Sequence, residues 1–221
     1  MSLLMDGFIT RMQGPRATPE PDTLEQIMAL FIEESLDTFF LDSAEAAGLN
    51  LSMHQLVRLT TQTISKASHL IVQRGIRKMT LAQYRAVGSY LHTIRRQDAD
   101  RKRTFVVIPI AKNRAELVRR APQLCHSDRL ELARKDLCQY LIGLTDDGIF
   151  WFFEQPLALL QFGPVLKKMV MVTMQTCQRA SHSLIHRIIP RLSAPQLENA
   201  AIYLDGLIHE FEDSPSQFRD S

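Results

Sequence analysis

Apolar side chains recur every three or four positions along most of this chain, which is the spacing of amphipathic α-helices. The pattern predicts a series of long helices, over roughly 23–48, 52–77, 80–96, 128–145, 165–189 and from 193 onward. A short helix is also expected in NRAELVRR. Only the β-branched run TFVVIPI favours extended backbone, and Pro109 argues against a place in the centre of a sheet. The sequence therefore predicts an all-α protein with one extended segment.

Three short motifs mark where predicted helices begin. Thr23 opens TLEQ, Thr80 opens TLAQ and Ser193 opens SAPQ. In such a capping box the hydroxyl and the Gln side chain satisfy each other's free backbone amides. Gly48 is a suitable residue to end the first helix, because glycine tolerates the left-handed backbone found there.

The chain repeats itself at a spacing of 113 residues. Residues 22–94 align with residues 135–207 without a gap, and sixteen of the 73 aligned pairs are identical. The clearest stretch is TQTISKASHLIVQR, which returns as MQTCQRASHSLIHR. Because the identities run through three predicted helices, we interpret the segments as duplicated three-helix units. The expected fold is an internally duplicated helical bundle with two pseudo-symmetric halves.

The repeat divides the chain into five segments, and the first, third and fifth have no repeated partner. Residues 1–21 end in a Pro-rich polar stretch and are expected to form a flexible N-terminal arm. The first repeat is placed at 22–96, a basic connector with the extended piece at 97–126, and the second repeat at 127–210. The acidic tail 211–221 is expected to be disordered.

Capping and packing explain most of the repeated positions. The repeated Gln26 and Gln83 lie where a capping box needs them, and Asp136 is expected to cap the second unit in place of Thr23. Tyr90 and the other large apolar identities have core spacing. Small side chains that would let another helix approach closely stand at Thr60, Thr63, Ala67 and Ser68.

One repeated set of polar residues is explained by neither capping nor packing. At about 100° per residue it lies opposite the apolar face of each central helix, and it consists of amides, cations and imidazoles. Its members are Gln62, Lys66, His69, Gln73, Gln175, Arg179, His182 and His186. We call these eight residues the polar stripe. We expect it to be partly buried, with its two halves facing each other or a shared partner.

Three interpretations of the polar stripe are open. It could be a hydrogen-bonded seam between the halves or between subunits. It could line a polar groove that binds a ligand, an anion or a partner peptide. It could also bind a metal, since His182 and His186 have the i, i+4 spacing that puts two imidazoles on one face. No neighbouring acidic residue completes a metal-binding motif, so neither a metal ligand nor a cofactor is assigned.

Composition narrows the functional class. The 221 residues are 45% hydrophobic and 23% charged, and no apolar run approaches the length of a membrane span. The widely spaced Cys125, Cys138 and Cys177 form no CxxC pair, which favours the reducing cytoplasm. Glycine-rich phosphate loops and nucleophile motifs are absent, so no catalytic residue is assigned and the sequence favours a protein that is not an enzyme.

Charge is concentrated in one region. Between Arg95 and Lys135 there are twelve Lys or Arg and five Asp or Glu, whereas the whole chain carries a net charge of only +2. Such a run could contact phosphates, and the candidate nucleic-acid residues are Arg95, Arg96, Arg101, Lys102 and Arg103. A solvated connector between the repeats is the alternative explanation of the same charge.

These observations favour a cytoplasmic interaction or regulatory protein that holds a partner at a polar groove between the two repeats. A protein partner or self-association into a homo-oligomer is expected, and no membrane contact. One alternative is a nucleic-acid-binding regulator that uses residues 95–120, and another is a metal- or small-ligand-binding helical bundle. Two three-helix halves in one chain resemble the architecture of PhoU-like proteins. The metal-binding acidic motifs of that family are absent, so the resemblance implies no functional residue.

Overall fold

Helices dominate the structure, as the apolar pattern predicts. The computed structural model describes residues 2–98 and 103–209. Within these ranges the chain forms ten α-helices, two π-helical segments, one short 3-10 helix and two short strands. The prediction of an all-α protein is therefore confirmed.

The first half consists of helices joined by short turns. In chain order they are α1 Ser2–Gln13, α2 Pro21–Leu36, a first π-segment Asp37–Asp42, α3 Ser43–Ala46, α4 Leu51–Ile76 and α5 Leu81–Ile94. Gly48 follows α3 with a φ of 62° in the left-handed region. The amides of Gly48 and Leu49 return to the carbonyls of Glu45 and Ala44, which closes the helix end as the sequence predicts.

A short β-hairpin connects the two halves. Strand β1 (Arg95–Asp98) pairs antiparallel with β2 (Arg103–Val106), and Arg95 lies opposite Val106. Strand β2 covers only the beginning of the extended run expected from the sequence. Beyond it, Ile108 and Ile110 pack against the core of the second half.

The second half has a similar order of elements. They are α6 Lys112–Cys125, α7 Leu130–Ile149, a second π-segment Phe150–Glu154, α8 Gln155–Leu160, α9 Pro164–Ile188, a 3-10 turn Ile189–Arg191 and α10 Ala194–Asp205. Pro164 occupies the first turn of α9, where its missing N–H has no helical partner to lose.

Element positions recur at the 113-residue spacing of the sequence repeat. The π-segments begin at residues 37 and 150, α4 and α9 at 51 and 164, and α5 and α10 at 81 and 194. Helix α1 packs against α5, and α6 packs against α10 in the same way. Burial recurs too, since Ile64 and Ser68 on α4 are buried like Cys177 and Ser181 on α9. Each half thus contains four principal helices where the sequence predicts three.

The predicted helix starts have mixed outcomes. Capping boxes form at Thr80 with Gln83 and at Ser193 with Gln196, as expected. The predicted cap at Thr23 is wrong, because α2 already begins at Pro21. Asp136 is not a cap either: it is a buried residue within α7, 2.6 Å from the Arg120 guanidinium.

Residues 1–21 contain a docked helix in place of the expected flexible arm. Met5, Phe8, Ile9 and Met12 lie on one face of α1 and are all buried. That face packs on α5 at Gly88, where an added Cβ would lie 2.8 Å from the Met12 Cβ. The burial of four large side chains explains why this segment is ordered. The acidic tail expected at 211–221 lies outside the described residues.

Two main clusters of buried side chains form the core, one for each half. The first joins α1, α2 and α5, and Trp151 and Phe152 of the second half pack against it. The second joins α6, α7, α9 and α10 and includes two residues of the first half, Ala44 in α3 and Ala47 directly after it. Each half therefore completes the core of the other.

Within residues 2–98 and 103–209, no helix combines the length and the apolar character needed to cross a membrane.

Candidate functional site

The two central helices, α4 and α9, form an antiparallel pair at the middle of the molecule. Ser68 Oγ lies 4.0 Å from Cys177 Sγ, and an Arg74 nitrogen lies 3.8 Å from Met169 Sδ. Ser181 is also buried, so small side chains from both helices allow the close approach that the sequence predicts. Burial raises the pKa of the Cys177 thiol, which keeps this cysteine protonated and unreactive.

The polar stripe lies on the sides of α4 and α9 that face away from the core. Six of its members are exposed, and only His69 and His182 are half-buried. The expected burial is therefore found at the two imidazoles alone. Because Ser68 lies level with Cys177 in an antiparallel pair, Lys66 lies at the level of Arg179. The stripe is therefore mostly exposed to solvent and does not form a buried seam between the halves.

The two half-buried imidazoles have different partners. His69 Nδ1 lies 2.8 Å from the Ser65 carbonyl oxygen, one turn earlier in the same helix. His182 Nε2 lies 3.0 Å from Asp146 Oδ1 of α7, and the Gln178 amide donates to the same oxygen at 2.8 Å. His182 thus fixes α9 to its neighbour, whereas His69 makes only a local contact.

Metal binding gains no support from the described part of the chain. No group of three or more His, Cys, Asp or Glu side chains there could hold a metal ion. His186 Nδ1 lies 3.7 Å from Cys138 Sγ, and neither side chain has another hydrogen-bond partner among the described residues. Among the described residues, the fold therefore does not complete a metal site around His182 and His186.

Helices α4 and α9 carry positive charge only. Neither contains an Asp or Glu, and together they present seven exposed cations, namely Arg58, Lys66, Arg74, Lys167, Lys168, Arg179 and Arg187. We call these seven residues the basic face. Among the described residues, none of the seven is within ion-pair distance of an acidic side chain. Their charge is available to a partner.

The same two helices expose large apolar side chains. Leu59, Leu70 and Val172 are 56%, 46% and 55% exposed, and Met171 is 46% exposed. On a helical wheel at about 100° per residue, Leu59 and Leu70 fall beside Lys66. Mixed apolar and cationic exposure of this kind is typical of a protein-binding surface.

The basic segment predicted for nucleic-acid contact uses much of its charge inside the molecule. Arg95 pairs with Asp6 at 2.6 Å, and Arg96 donates to the carbonyls of Thr93 and Arg95. Arg101 and Lys102 lie outside the described residues, and the side chain of Arg103 is not described. The contacts of Arg95 and Arg96 stabilise the fold and leave them poorly placed for phosphate binding.

Arginines of α6 are also engaged in ion pairs. Arg114 contacts Asp147 and Arg120 contacts Asp136, both on α7, while Arg119 lies 3.3 Å from Asp205 of α10. These pairs hold α6 against the second half. The expected connector is therefore, over Lys112–Cys125, an integral helix of the bundle.

Two apolar cavities of about 200 and 210 Å³ lie on either side of the central helix pair. Cavity 1 lies in the second half and cavity 2 in the first. Their lining recurs at the 113-residue spacing: Ser68, Ile71, Val87 and Leu91 line cavity 2, and Ser181, Leu184, Ala200 and Leu204 line cavity 1. Neither lining contains a charged side chain.

The π-segment of the opposite half forms part of the wall of each cavity, and a tyrosine bonds to that segment. Tyr203 of α10 donates to the Thr38 carbonyl at 3.0 Å, and Tyr90 of α5 donates to the Trp151 carbonyl. Both carbonyls belong to the π-segment of the other half. Because Tyr90 and Tyr203 are identical residues 113 positions apart, the two bonds are equivalent. Burial raises the pKa of both phenols, so both remain donors at neutral pH.

A second pair of hydrogen bonds also joins the two halves. Gln83 Nε2 donates to the Leu160 carbonyl at the end of α8, and Gln196 Nε2 donates to the Gly48 carbonyl at 2.8 Å. These glutamines also form the capping boxes of α5 and α10. The sequence predicts only a capping role for these glutamines. Their second acceptor is a backbone carbonyl of the other half, and a backbone carbonyl cannot be recognised from residue types.

The π-segments supply the aromatic wall of the cavities. Phe39 and Phe40 line cavity 1, and Phe152 and Phe153 line both cavities. The Phe152 ring packs edge-on against Phe31, with ring centroids 4.5 Å apart. A π-helical turn re-aims side chains relative to an α-helix and is found frequently at functional sites. The sequence reveals the repeated Phe pair but not the π geometry or the cavities.

Comparison with known proteins identifies no relative: no family model matches the chain, and no curated protein or solved structure is significantly similar.

Proposed function

We propose that this protein is a non-enzymatic binding protein that holds an acidic protein partner on the surface of α4 and α9. The observation that carries the proposal is the basic face, a set of seven exposed cations on two adjacent helices without one acidic residue. A partner that presents carboxylates would meet complementary charge along both helices. Lys66 and Arg179 lie at the same level of the pair and form its centre.

Apolar exposure favours a protein partner over nucleic acid. Leu59, Leu70, Met171 and Val172 interrupt the cations, and an interface with apolar anchors excludes water around its charged pairs. Nucleic-acid interfaces are more polar and rely on phosphate contacts. The 95–120 segment supports the nucleic-acid alternative less well than the sequence alone suggests, because Arg95, Arg114 and Arg120 have intramolecular acidic partners.

We further propose that the two halves arose by duplication of a helical unit. Support comes from the ungapped sequence repeat, from element starts 113 residues apart and from the equivalent bonds of Tyr90 and Tyr203. In this proposal the unit has four helices, with α1 and α6 as its first members. Duplication explains why the polar stripe occurs twice in the chain.

The experiment is affinity purification of the full chain from its native cells, with quantitative mass spectrometry. The variant Lys66→Glu with Arg179→Glu should lose bound protein that the wild type retains, because it places negative charge at the centre of the basic face. A matched control, Arg85→Glu with Lys135→Glu, reverses two exposed cations on other helices and should retain the partner. The candidate partner is then purified and its affinity for both variants is measured.

Loss of binding in both double variants, or in neither, would contradict the proposal. Salt-dependent retardation of DNA or RNA that disappears in the Lys66 and Arg179 variant would instead assign the basic face to nucleic acid. Binding to anionic vesicles but to no protein would assign it to a lipid surface. A second variant, His69→Ala with His182→Ala, tests whether the imidazoles of the stripe contribute, with circular dichroism as the check on folding.

A further inference from the structure

We propose that each half of the molecule carries a binding site for a neutral apolar ligand, located in the cavity to whose wall the π-segment of the other half contributes. The inference goes beyond partner binding at the basic face and rests on different residues. It begins from the size of the cavities, about 200 and 210 Å³. Apolar protein cavities of about 150 Å³ stay dry and take up benzene, so these two accept a molecule somewhat larger than benzene.

The lining sets the chemical class of the ligand. No charged side chain lines either cavity, which excludes ions and strongly favours a hydrocarbon or an aromatic ring system. The few hydroxyls are mostly engaged by the protein: Tyr90 donates to a backbone carbonyl, and Thr145 and Ser43 donate to the carbonyls of Leu141 and Phe39. The ligand therefore receives little hydrogen bonding and binds by burial of apolar surface.

The two sites are equivalent in their lining. Val87 and Ala200 occupy the same place in their respective cavities, as do the identical Leu91 and Leu204. Both cavities also share Ile64 and the Phe152–Phe153 pair as a common wall. This predicts two ligands for each chain, with coupling between them through the shared wall.

The experiment uses fluorine NMR of 1-fluoronaphthalene with the full chain. Two bound signals are expected, one from each cavity. Val87→Phe fills cavity 2 and should remove one signal, and Ala200→Leu fills cavity 1 and should remove the other. For the filled site the affinity should fall at least about tenfold, while the remaining signal shows that the variant is folded. Leu70→Phe, which adds an aromatic ring on exposed α4 surface outside both cavities, should retain both signals.

If one filling variant loses both signals, the milder Leu91→Phe and Leu204→Phe take its place and are judged by the same criterion. Absence of bound signals at ligand saturation in the wild type would overturn the proposal. So would bound signals that persist in every filling variant, because the ligand would then lie elsewhere.

Discussion

Tyr203 and Tyr90 are the residues whose repetition the structure explains most directly. Each phenol donates to a backbone carbonyl in the π-segment of the opposite half, Tyr203 to Thr38 and Tyr90 to Trp151. Replacement of Tyr203 by Phe leaves the Thr38 carbonyl without its donor. We expect Tyr203→Phe and Tyr90→Phe each to lower the free energy of unfolding by about 1–2 kcal/mol, measured by urea denaturation.

Tyr84 provides the comparison for these two variants. Its hydroxyl donates to the Ile76 carbonyl within the same half, at 3.0 Å. Tyr84→Phe should destabilise the chain by a similar amount but should leave amide exchange in the π-segments unchanged, whereas Tyr203→Phe should speed exchange in Asp37–Asp42. Equal exchange in the two variants would show that Tyr203 does not hold that segment.

Sequence patterns could not distinguish these roles. Tyr90 has the spacing of a core residue, and its side chain is indeed packed, but its acceptor is a backbone oxygen with no side-chain signature. The alignment predicts a helix cap at Asp136 because this residue replaces Thr23, whereas the packing of α6 brings Arg120 to its carboxylate. Periodicity places the polar stripe opposite the apolar face of its helices, but the partial burial expected of the whole stripe is found only at His69 and His182.

The Arg11–Glu20 pair gives a pH-dependent prediction at this scale. Two guanidinium nitrogens lie 2.7 Å from the Glu20 carboxylate, and this hydrogen bonding lowers the pKa of Glu20. A carboxylate with a lowered pKa stabilises the folded state at neutral pH, and this stabilisation is lost as the pH falls through its folded pKa. Since Arg11 is half exposed, we expect Glu20→Gln to cost at most about 1 kcal/mol at neutral pH.

The measurement compares urea denaturation of Glu20→Gln and the wild type at neutral pH and at about pH 3. The difference in stability should shrink at the lower pH, because protonation of the wild-type carboxyl removes the charge that pairs with Arg11. A difference that stays constant between the two pH values would show that the ion pair is not its cause.

At the scale of elements, docking of α1 depends on one glycine. Gly88 lies on α5 where an added Cβ would be 2.8 Å from the Met12 Cβ, too close for the helices to keep their spacing. Alanine normally stabilises a helix over glycine by about 1 kcal/mol. We expect Gly88→Ala nevertheless to destabilise the protein and to expose α1, so that trypsin cleaves at Arg11 faster than in the wild type.

Gly148 on α7 is the matched control for this prediction. An added Cβ there meets nothing closer than Phe152 Cδ2 at 4.0 Å, so Gly148→Ala should be neutral or stabilising and should leave cleavage at Arg11 unchanged. If Gly88→Ala were as stable as the wild type, α1 would not be pressed against α5 as closely as the structure has it.

The docked helix also shows where element prediction fails. Met5, Phe8, Ile9 and Met12 have the i, i+3, i+4, i+7 spacing of a helix face, but the Pro-rich polar stretch that follows favours a flexible arm. The tertiary contact with α5 decides the outcome, and a single-helix pattern contains no information about it. Strong periodicity in α4 and α9, by comparison, was enough to predict both helices to within about two residues.

For the whole molecule, the decisive feature is the exchange of core side chains between the halves: each half contributes side chains to the core of the other. Ala44 and Ala47 of the first half complete the second core, and Phe152 of the second half packs on the first. The sequence repeat predicts two similar units but not this exchange, because identical sequences could pack side by side as well. Because both halves contribute side chains to each cavity lining, each cavity depends on the full chain.

This exchange predicts that the halves fold together. Residues 1–110 alone lack Trp151 and Phe152, and residues 111–221 alone lack Ala44 and Ala47, so each fragment exposes apolar core surface. We expect each purified fragment to melt without a cooperative transition, and an equimolar mixture to recover one as a 1:1 complex by native mass spectrometry. Tyr203→Phe in the second fragment should weaken that complex, since the Thr38 carbonyl then has no donor. Cooperative melting of either isolated fragment at the temperature of the full chain would show that the exchanged contacts are not needed for folding.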